Sequence, residues 1–580
     1  MLGFAFGYPW GYFRGVTETP KRIVIVGGVA GGMSCAARAR RLDETAEIIV
    51  LDRGDHVSFA NCGLPYYVGG EITDPAKLLV QTPASLKAAL NLDVRTRHDV
   101  VAADPAARTV TVNTADGTRE LGYDALVLSP GAAAVRPPIP GLESPRVRTL
   151  RTVEDALTME AQVSQGAARA VVLGAGFIGL EAAEALAGRG LKVTIVELAE
   201  HVLPPLEPEL ARLVTAELTR LGIEVRDGVA ASAIEAGDDH DVVVLADGSR
   251  IEADLIVLSV GVRPDTAVFE RAGVACERGA IVTDEHGRTN LPGIWAVGDA
   301  VVSTDAVTGL RRPVALAGPA NRAGRQVAED ILRTGSATPI PQPLGTAIVR
   351  VGELTAALTG ANRATLLAQG IKHQTVHLHP NQHAGYFPGA AQLHLVVHFR
   401  SSDGLLLGAQ AVGPDGVDKR IDVLATALRH RGTIADLVDL DLSYSPPYGN
   451  AKDPVNLAGM IGRNLLDGTT ALWYPWQVDD VLGTALVLDA RTPAEFATGH
   501  LPGALNIAHT ELRERLDEVV AAADGRPVRV MCVSGMRSYL AHRVLAGHGL
   551  DSATLSGGML TLRAYLGERA DQLLTTAPPA

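Results

Sequence analysis

The chain carries one strand, glycine-turn, helix, strand pattern twice, and this repetition restricts its fold more than any other feature. Residues 21–52 read as an apolar strand (RIVIVGG), a glycine turn, an Ala- and Arg-rich helix and a second strand (EIIVLD). Residues 170–197 repeat the plan as AVVLGAG, FIGLEAAEALAGRG and KVTIVEL. Each unit opens a parallel α/β sheet and sets a glycine turn at a helix N-terminus, where backbone amides stabilise phosphate charge. Two such units mean two dinucleotide sites in one chain.

The second unit has the complete fingerprint: Gly174, Gly176 and Gly179, with Glu197 ending the next strand. The glycines allow a tight turn, close approach to a pyrophosphate and close helix–strand packing. An acid at 197 accepts hydrogen bonds from a ribose hydroxyl and repels a 2′-phosphate, which favours NADH and leaves NADPH as a weaker option. The first unit departs from the rule. Gly27, Gly28, Gly31 and Gly32 surround Val29, which takes the place of the middle glycine, and Asp52 supplies the ribose acid. A third element, GIWAVGD at 293–299, resembles the FAD segment of two-dinucleotide-domain flavoproteins, with Gly298 and Asp299 toward the ribityl–pyrophosphate region. The connecting strands ending at Gly131 and Gly261, the latter followed by Arg263 and Pro264, complete that resemblance. FAD is thus expected near the N-terminus, with NAD(P)H on an inserted domain.

A chain of 580 residues is too long for one core. Its formal charge of −13 argues against a general nucleic-acid binder, which needs a basic surface, but accommodates an anionic small molecule in a locally basic pocket. Four cysteines, Cys35, Cys62, Cys276 and Cys532, do not make a disulfide scaffold, and a reducing, cytoplasmic setting is expected. No apolar run reaches the roughly eighteen residues of a membrane span. Residues 1–20 lack a basic start and a cleavage site and read as a disordered extension.

Cys62 lies in SFANCGLPYY (58–67) with no second cysteine close in sequence. An internal redox pair shows two cysteines a few residues apart, so a lone one implies that the partner sulfur arrives on a substrate. The reactive form is the thiolate, which needs a pKa lowered by a helix N-terminus or nearby positive charge. The segment after Cys62 is expected to start such a helix, and Gly63 leaves room for a substrate.

Through GGVAGG (27–32) and SFANCGLPYY, residues 21–465 resemble the pyridine nucleotide–disulfide oxidoreductases, and among them the coenzyme A-disulfide reductases and their persulfide-reducing relatives. SYSPPY (443–448) and AKDPVN (451–456) are similar to that family's dimerisation-domain signature. The resemblance implies FAD, NADH and coenzyme A, a homodimer, and substrate contact by Asn61. It also implies that Tyr386 and Tyr444 reach the active cysteine of the other subunit, where a phenol can donate a proton to a departing thiolate. Arg38, Arg40 and Arg41 on the first helix, with Asn321 and Arg322, are candidates for coenzyme A phosphates, because arginine forks suit phosphate geometry.

LVLDARTPAEF (486–496), GHLPGALNI (499–507) and VMCVSGMRS (530–538) are similar to a rhodanese domain. Cys532 ends a strand and opens a loop whose inward amides cradle an anion, and Arg537 adds positive charge. His373, His377, His379, His383, His394 and His398 lack thiol or carboxylate partners at ligand spacing, so no metal is expected and an interface or surface role is.

The expected architecture is α/β: two Rossmann-like domains, FAD (21–150 and 264–335) and NAD(P)H (151–263), an α+β dimerisation domain (336–468), a linker (469–476) and a rhodanese domain (477–575). The expected function is NAD(P)H-driven reduction of coenzyme A disulfide, coenzyme A persulfide or polysulfide at Cys62, with a sulfurtransferase centre at Cys532. The alternative is a flavin NADH oxidase or peroxidase in which Cys62 cycles through a sulfenic acid.

Overall fold

The computed structural model describes residues 21–333 and 335–576, so the extension expected at 1–20 lies outside the described residues. The first domain is built on a five-stranded parallel sheet. Its order is Ile294–Ala296, Ala125–Leu128, Arg22–Val26, Glu47–Leu51, Asp93–Arg95. The three central strands are apolar along almost their whole length because both faces are covered, whereas the short edge strand Asp93–Arg95 is half-buried. Helices Ala30–Leu42 and Ala317–Leu332 pack together over one face. A Cβ at Gly324 would lie 2.1 Å from the Gly31 carbonyl oxygen, so only glycine permits this approach. The edge strand Ile294–Ala296 comes from the far side of the inserted domain, which is why the domain is split in sequence.

The inserted sheet has the order Glu224–Arg226, Lys192–Val196, Arg169–Leu173, Leu255–Leu258, Val147–Arg148, all parallel. Val147–Arg148 already belongs to this sheet, a few residues ahead of the boundary expected at 151. The two chain crossings between the domains are joined by antiparallel pairing of Ala132–Ala134 with Val262–Pro264.

The third domain is a five-stranded antiparallel sheet, Ala347–Val351, Leu354–Gly360, Leu406–Gly413, His394–Arg400, His373–Leu378. Helices Val417–Arg429 and Pro454–Leu466 share a core with its apolar residues. The last domain is a parallel sheet in the order Leu472–Trp473, Ser552–Leu555, Val528–Met531, Leu486–Asp489, Leu505–Asn506.

Leu472–Trp473 falls inside the stretch expected to be a linker, and this corrects that expectation. Its Trp and Pro content reads as a connector, yet large aromatics bury whatever surface they meet. Trp473 is buried and donates its indole N–H to the Val530 carbonyl at 3.1 Å. Tyr474 and Trp476 stack at 4.6 Å, and the Arg363 guanidinium sits 4.0 Å over the Trp476 ring. The segment is docked against the third domain.

Four of the six histidines that tempt a metal reading lie at this junction. His377 meets Glu209 of the NAD(P)H domain and Ser556 of the last domain, and His398 meets Glu207 at 3.0 Å. His379 meets Thr561 at 2.7 Å and His394 at 2.8 Å. The contacts with Glu209, Ser556, Glu207 and Thr561 are interdomain, in line with the interface expectation, while His379–His394 lies within the third domain. Among the described residues no group of His, Cys, Asp or Glu could hold a metal ion, and no helix is long and apolar enough to cross a membrane.

Candidate active sites

The two nucleotide turns share one construction. At Gly27 φ is +98°, and a Cβ there would stand 1.9 Å from the Ser129 carbonyl oxygen. At Gly174 φ is +99°, and a Cβ would stand 2.6 Å from the Ser259 carbonyl oxygen. Gly32 and Gly179 let each helix approach the carbonyl of its own turn, at 1.9 and 2.0 Å from a virtual Cβ. Gly28 and Gly31 pack against Val57 and Val297, whereas nothing lies within 4 Å of a Cβ at Gly176.

The two acids hold these turns as well as facing them. Asp52 accepts from the Gly28 N–H at 2.7 Å and the Gly54 N–H at 2.8 Å. Glu197 accepts from the Ala175 N–H at 2.6 Å and the Ala199 N–H at 2.8 Å. Each carboxylate thus ties its glycine turn to the end of the following strand. The sequence pattern points only to their ribose role.

The site fits a flavin dinucleotide beyond its glycines. Gly298 takes φ +83°, and Asp299 follows it in a short turn with no hydrogen-bond partner among the described residues. Burial pushes that carboxyl above its usual range against the opposing charge of Arg151. Hydroxyl donors of a ribityl chain are the partners this group lacks. Gly131 and Gly261 both take positive φ after their strands, at +70° and +108°.

Cys62 sits exposed in the turn Asn61–Gly63, directly ahead of the buried helix Leu64–Val68. The Asn61 amide donates to the Arg151 carbonyl at 3.0 Å, tying the turn to the entrance of the NAD(P)H domain. The expectation of a thiol lowered by its surroundings is corrected. Burial pushes the Cys62 thiol up, and the charge of Glu181 pushes it further. The helix after Cys62 has only five residues, too short to gather much dipole, and no cation reaches the sulfur from within the protomer's described residues.

Cys35, within helix Ala30–Leu42, lies at 0% exposure, and burial pushes its thiol up to about 12, away from the reactive thiolate. Tyr386 and Tyr444 are exposed and share a hydrogen bond between their hydroxyls at 3.2 Å. Among the described residues no hydrogen bond links either to Cys62 of the same chain.

The arginines are more committed than their sequence positions imply. Arg38 makes two hydrogen bonds to Glu329, the shorter 2.6 Å, and Arg40 is buried with its guanidinium on the carbonyls of Leu90, Asp43, Glu44, Ala46 and Asn91. Arg40 is therefore a structural residue, a correction to its place among the phosphate candidates. Arg41 is exposed and, among the described residues, bonds only the Ala37 carbonyl one turn back. Asn321 accepts from Ser34 at 2.7 Å, and Arg322 beside it is exposed.

The second cysteine centre is enclosed. Cys532 is 1% exposed, accepts from the Gly535 N–H at 3.2 Å and faces Ser538 Oγ at 3.4 Å. Gly535 takes φ +106°, which turns the loop into helix Met536–Gly547. Thr554 and Ser538 continue a hydroxyl chain, 2.6 Å apart, beneath the sulfur. The positive charge expected of Arg537 is felt at Cys532, and it is shared with Glu495 through two hydrogen bonds of 2.7 and 2.8 Å. Those bonds hold the Glu495 carboxyl down to about 2. Asp489 and Arg491 form a buried pair behind the loop, which sequence reasoning read only as part of a motif.

Residues 21–324 match the pyridine nucleotide-disulphide oxidoreductase family, residues 346–454 its dimerisation domain, and residues 477–563 the rhodanese-like domain. The chain belongs to the pyridine nucleotide-disulphide oxidoreductase family and is a flavin enzyme of that class with a rhodanese-like domain fused at its C-terminal side. It is 36% identical over 450 residues to a coenzyme A disulfide reductase from Staphylococcus haemolyticus, which covers 77% of this chain and 100% of that one. Among solved structures, reduced CoADR-RHD of Bacillus anthracis superposes with a TM-score of 0.92 at 40% identity, over 95% of this chain and 99% of the other. A NAD-dependent persulfide reductase from A. fulgidus does so with a TM-score of 0.87 at 36% identity, over 93% and 99%.

Proposed function

We propose that this enzyme reduces coenzyme A disulfide or coenzyme A persulfide with NADH, using Cys62 as its one redox thiol, and that Cys532 loads sulfane sulfur onto coenzyme A. The observation that carries the reading is the setting of Cys62. It is an exposed thiol beside the flavin fold, and the other described cysteines are free and none is bonded to it. Its disulfide partner therefore comes on a substrate. The coenzyme A relatives give that substrate its identity.

The turn at Gly27–Gly32, Asp52 and Asp299 would hold FAD, which together with NADH would supply a pair of electrons and one hydrogen. The chain's residues do the sulfur chemistry. The Cys62 thiolate attacks a sulfur of the substrate, forms Cys62–S–S–coenzyme A and releases a thiolate or hydrosulfide. The electron pair then breaks that mixed disulfide and regenerates the Cys62 thiolate and coenzyme A. The sum is one disulfide or persulfide, one NADH and one proton giving NAD⁺ with two thiols, or with one thiol and hydrogen sulfide.

At the second centre, the Cys532 thiolate takes the outer sulfur of a persulfide or polysulfide. The coenzyme A thiolate removes it again as coenzyme A persulfide, restoring Cys532. A homodimer in a reducing, cytoplasmic setting completes the reading. Tyr386 and Tyr444 of one protomer, exposed in the single chain, then stand at the partner's Cys62. Asn61, Arg41, Asn321 and Arg322 are the candidates for the substrate's polar groups, and Arg38 would have to leave Glu329 to join them.

The test is polysulfide-dependent NADH oxidation with catalytic coenzyme A in Cys532→Ser. A large loss with direct coenzyme A disulfide reduction intact is expected. An unchanged rate would sink the relay.

A further inference from the structure

Ser556 follows the strand Ser552–Leu555, and the two glycines after it lead into helix Gly558–Leu566. Both take positive φ, +68° at Gly557 and +64° at Gly558. A Cβ at Gly557 would stand 2.8 Å from the Cβ of His377 in the dimerisation domain. A Cβ at Gly558 would stand 2.6 Å from the carbonyl oxygens of both Cys532 and Val533. This short turn is pressed on the reductase through one glycine and on the Cys532 loop through the next.

Hydrogen bonds hold both contacts. The Met559 N–H donates to the Cys532 carbonyl at 2.8 Å, and the Leu560 N–H to the Val533 carbonyl at 3.1 Å. These amides belong to the first turn of a helix, where they have no partner within the helix. In a trans peptide the N–H points opposite to the C=O, so pinning the two carbonyls turns the Val533 and Ser534 amides away from that helix. An anion cradle depends on the direction of such amides. Toward the reductase, Ser556 Oγ accepts from the His377 backbone N–H at 3.2 Å and meets its Nδ1 at 2.7 Å. The Nε2 of the same ring meets Glu209 at 2.8 Å. His379 meets Thr561, in the same helix, at 2.7 Å. Ser556, His377 and Thr561 are all buried.

We propose that Ser556 and His377 are positioning residues for sulfur transfer at Cys532, an inference that rests on the sulfurtransferase reading above. Docking on the dimerisation domain holds the turn from Ser556 to Leu560, and the turn holds the loop amides in the direction that receives the transferred sulfur. The reductase thereby completes the sulfurtransferase centre.

Three variants of the full-length, FAD-loaded enzyme separate this role from plain stability. Ser556→Ala removes the hydroxyl. His377→Gln sets an amide near the place of Nε2, which keeps the bond to Glu209 and loses the one to Ser556. His377→Asn sets an amide near the place of Nδ1, which keeps Ser556 and leaves Glu209 unpaired. Sulfur transfer to cyanide is measured with thiosulfate and, after subtracting the uncatalysed rate, with polysulfide. Ser556→Ala and His377→Gln are expected to lose about ten-fold in kcat, as small misplacements of a reacting centre do, with His377→Asn close to the parent. Unfolding midpoints should run the other way, with His377→Asn the least stable of the three because it strands a buried carboxylate. Amide exchange followed by mass spectrometry should quicken in the 532–535 loop of Ser556→Ala and His377→Gln, while strand Leu486–Asp489 stays protected. A rate loss greatest in His377→Asn, or a loop and a rate unmoved in the other two, would overturn the proposal. Should the parent transfer no sulfur from either donor, the sulfurtransferase reading fails instead. Exchange in the loop then decides by itself whether Ser556 and His377 hold it.

Discussion

His377, on the edge strand of the dimerisation sheet, meets Glu209 of the NAD(P)H domain at 2.8 Å with both side chains buried. Its other ring nitrogen meets Ser556 of the rhodanese domain at 2.7 Å. One imidazole thus ties three domains together, and the edge strand it sits on is covered by the last domain instead of being left open.

Removing that imidazole leaves a buried carboxylate without its main partner, for the second oxygen of Glu209 already has none. His377→Ala is expected to destabilise the protein by about 3–5 kcal/mol, the usual result of breaking a buried pair from one side. Calorimetric unfolding checks it. A change below about 1 kcal/mol would show that water enters the junction freely.

The two cysteine centres are expected to fail separately. Cys62→Ser abolishes disulfide reduction and keeps both flavin absorbance and sulfurtransferase activity. Cys532→Ser abolishes sulfurtransferase activity and keeps flavin absorbance and disulfide reduction. Assaying each activity in each variant settles this, because the two thiols lie in domains with separate cores.

Acid stability is expected to follow the pair His379 and His394. Their Nδ1 atoms are 2.8 Å apart, and such a bond needs one nitrogen without a proton. Burial and the neighbouring His394 and His377 charges push His379 well below the usual imidazole range, and burial pushes His394 down to about 4. Both stay neutral in the fold but take protons readily once unfolded. Stability is therefore level above pH 6.5 and lost as pH falls from there toward about 4. Thermal midpoints between pH 8 and 4 should show this slope, and His394→Gln should flatten it.

Coenzyme choice is expected to depend on Glu197. Glu197→Ala removes the ribose acceptor and its repulsion of a 2′-phosphate. The ratio of kcat/KM for NADH over NADPH should fall at least about ten-fold, roughly the worth of one charged hydrogen bond. Some loss of stability accompanies it, since Glu197 also holds the amides of Ala175 and Ala199. An unchanged ratio would remove Glu197 from coenzyme selection.

Much of each domain was legible because its signals are local. The glycine turns show their φ and close-approach demands within a few residues, and strands such as Arg22–Val26 and Arg169–Leu173 announce two covered faces by unbroken apolar runs. Less legible was Leu472–Trp473, whose composition reads as a connector and whose strand character exists only through pairing with Thr554 and Leu555. The acids that Arg38 and Arg537 pair with, Glu329 and Glu495, lie far along the chain and leave no mark near either arginine in the sequence.

By itself, the sequence determined the four-domain order, the two nucleotide turns and the local settings of Cys62 and Cys532, since each rests on spacing within one strand–turn–helix unit. Tertiary structure alone decided the environment of those cysteines. Glu181 is more than a hundred residues from Cys62, and His377 still further from Glu209 and Ser556. Charges and hydrogen bonds act through space, so their effects on pKa and domain docking appear only when the chain has brought these residues together.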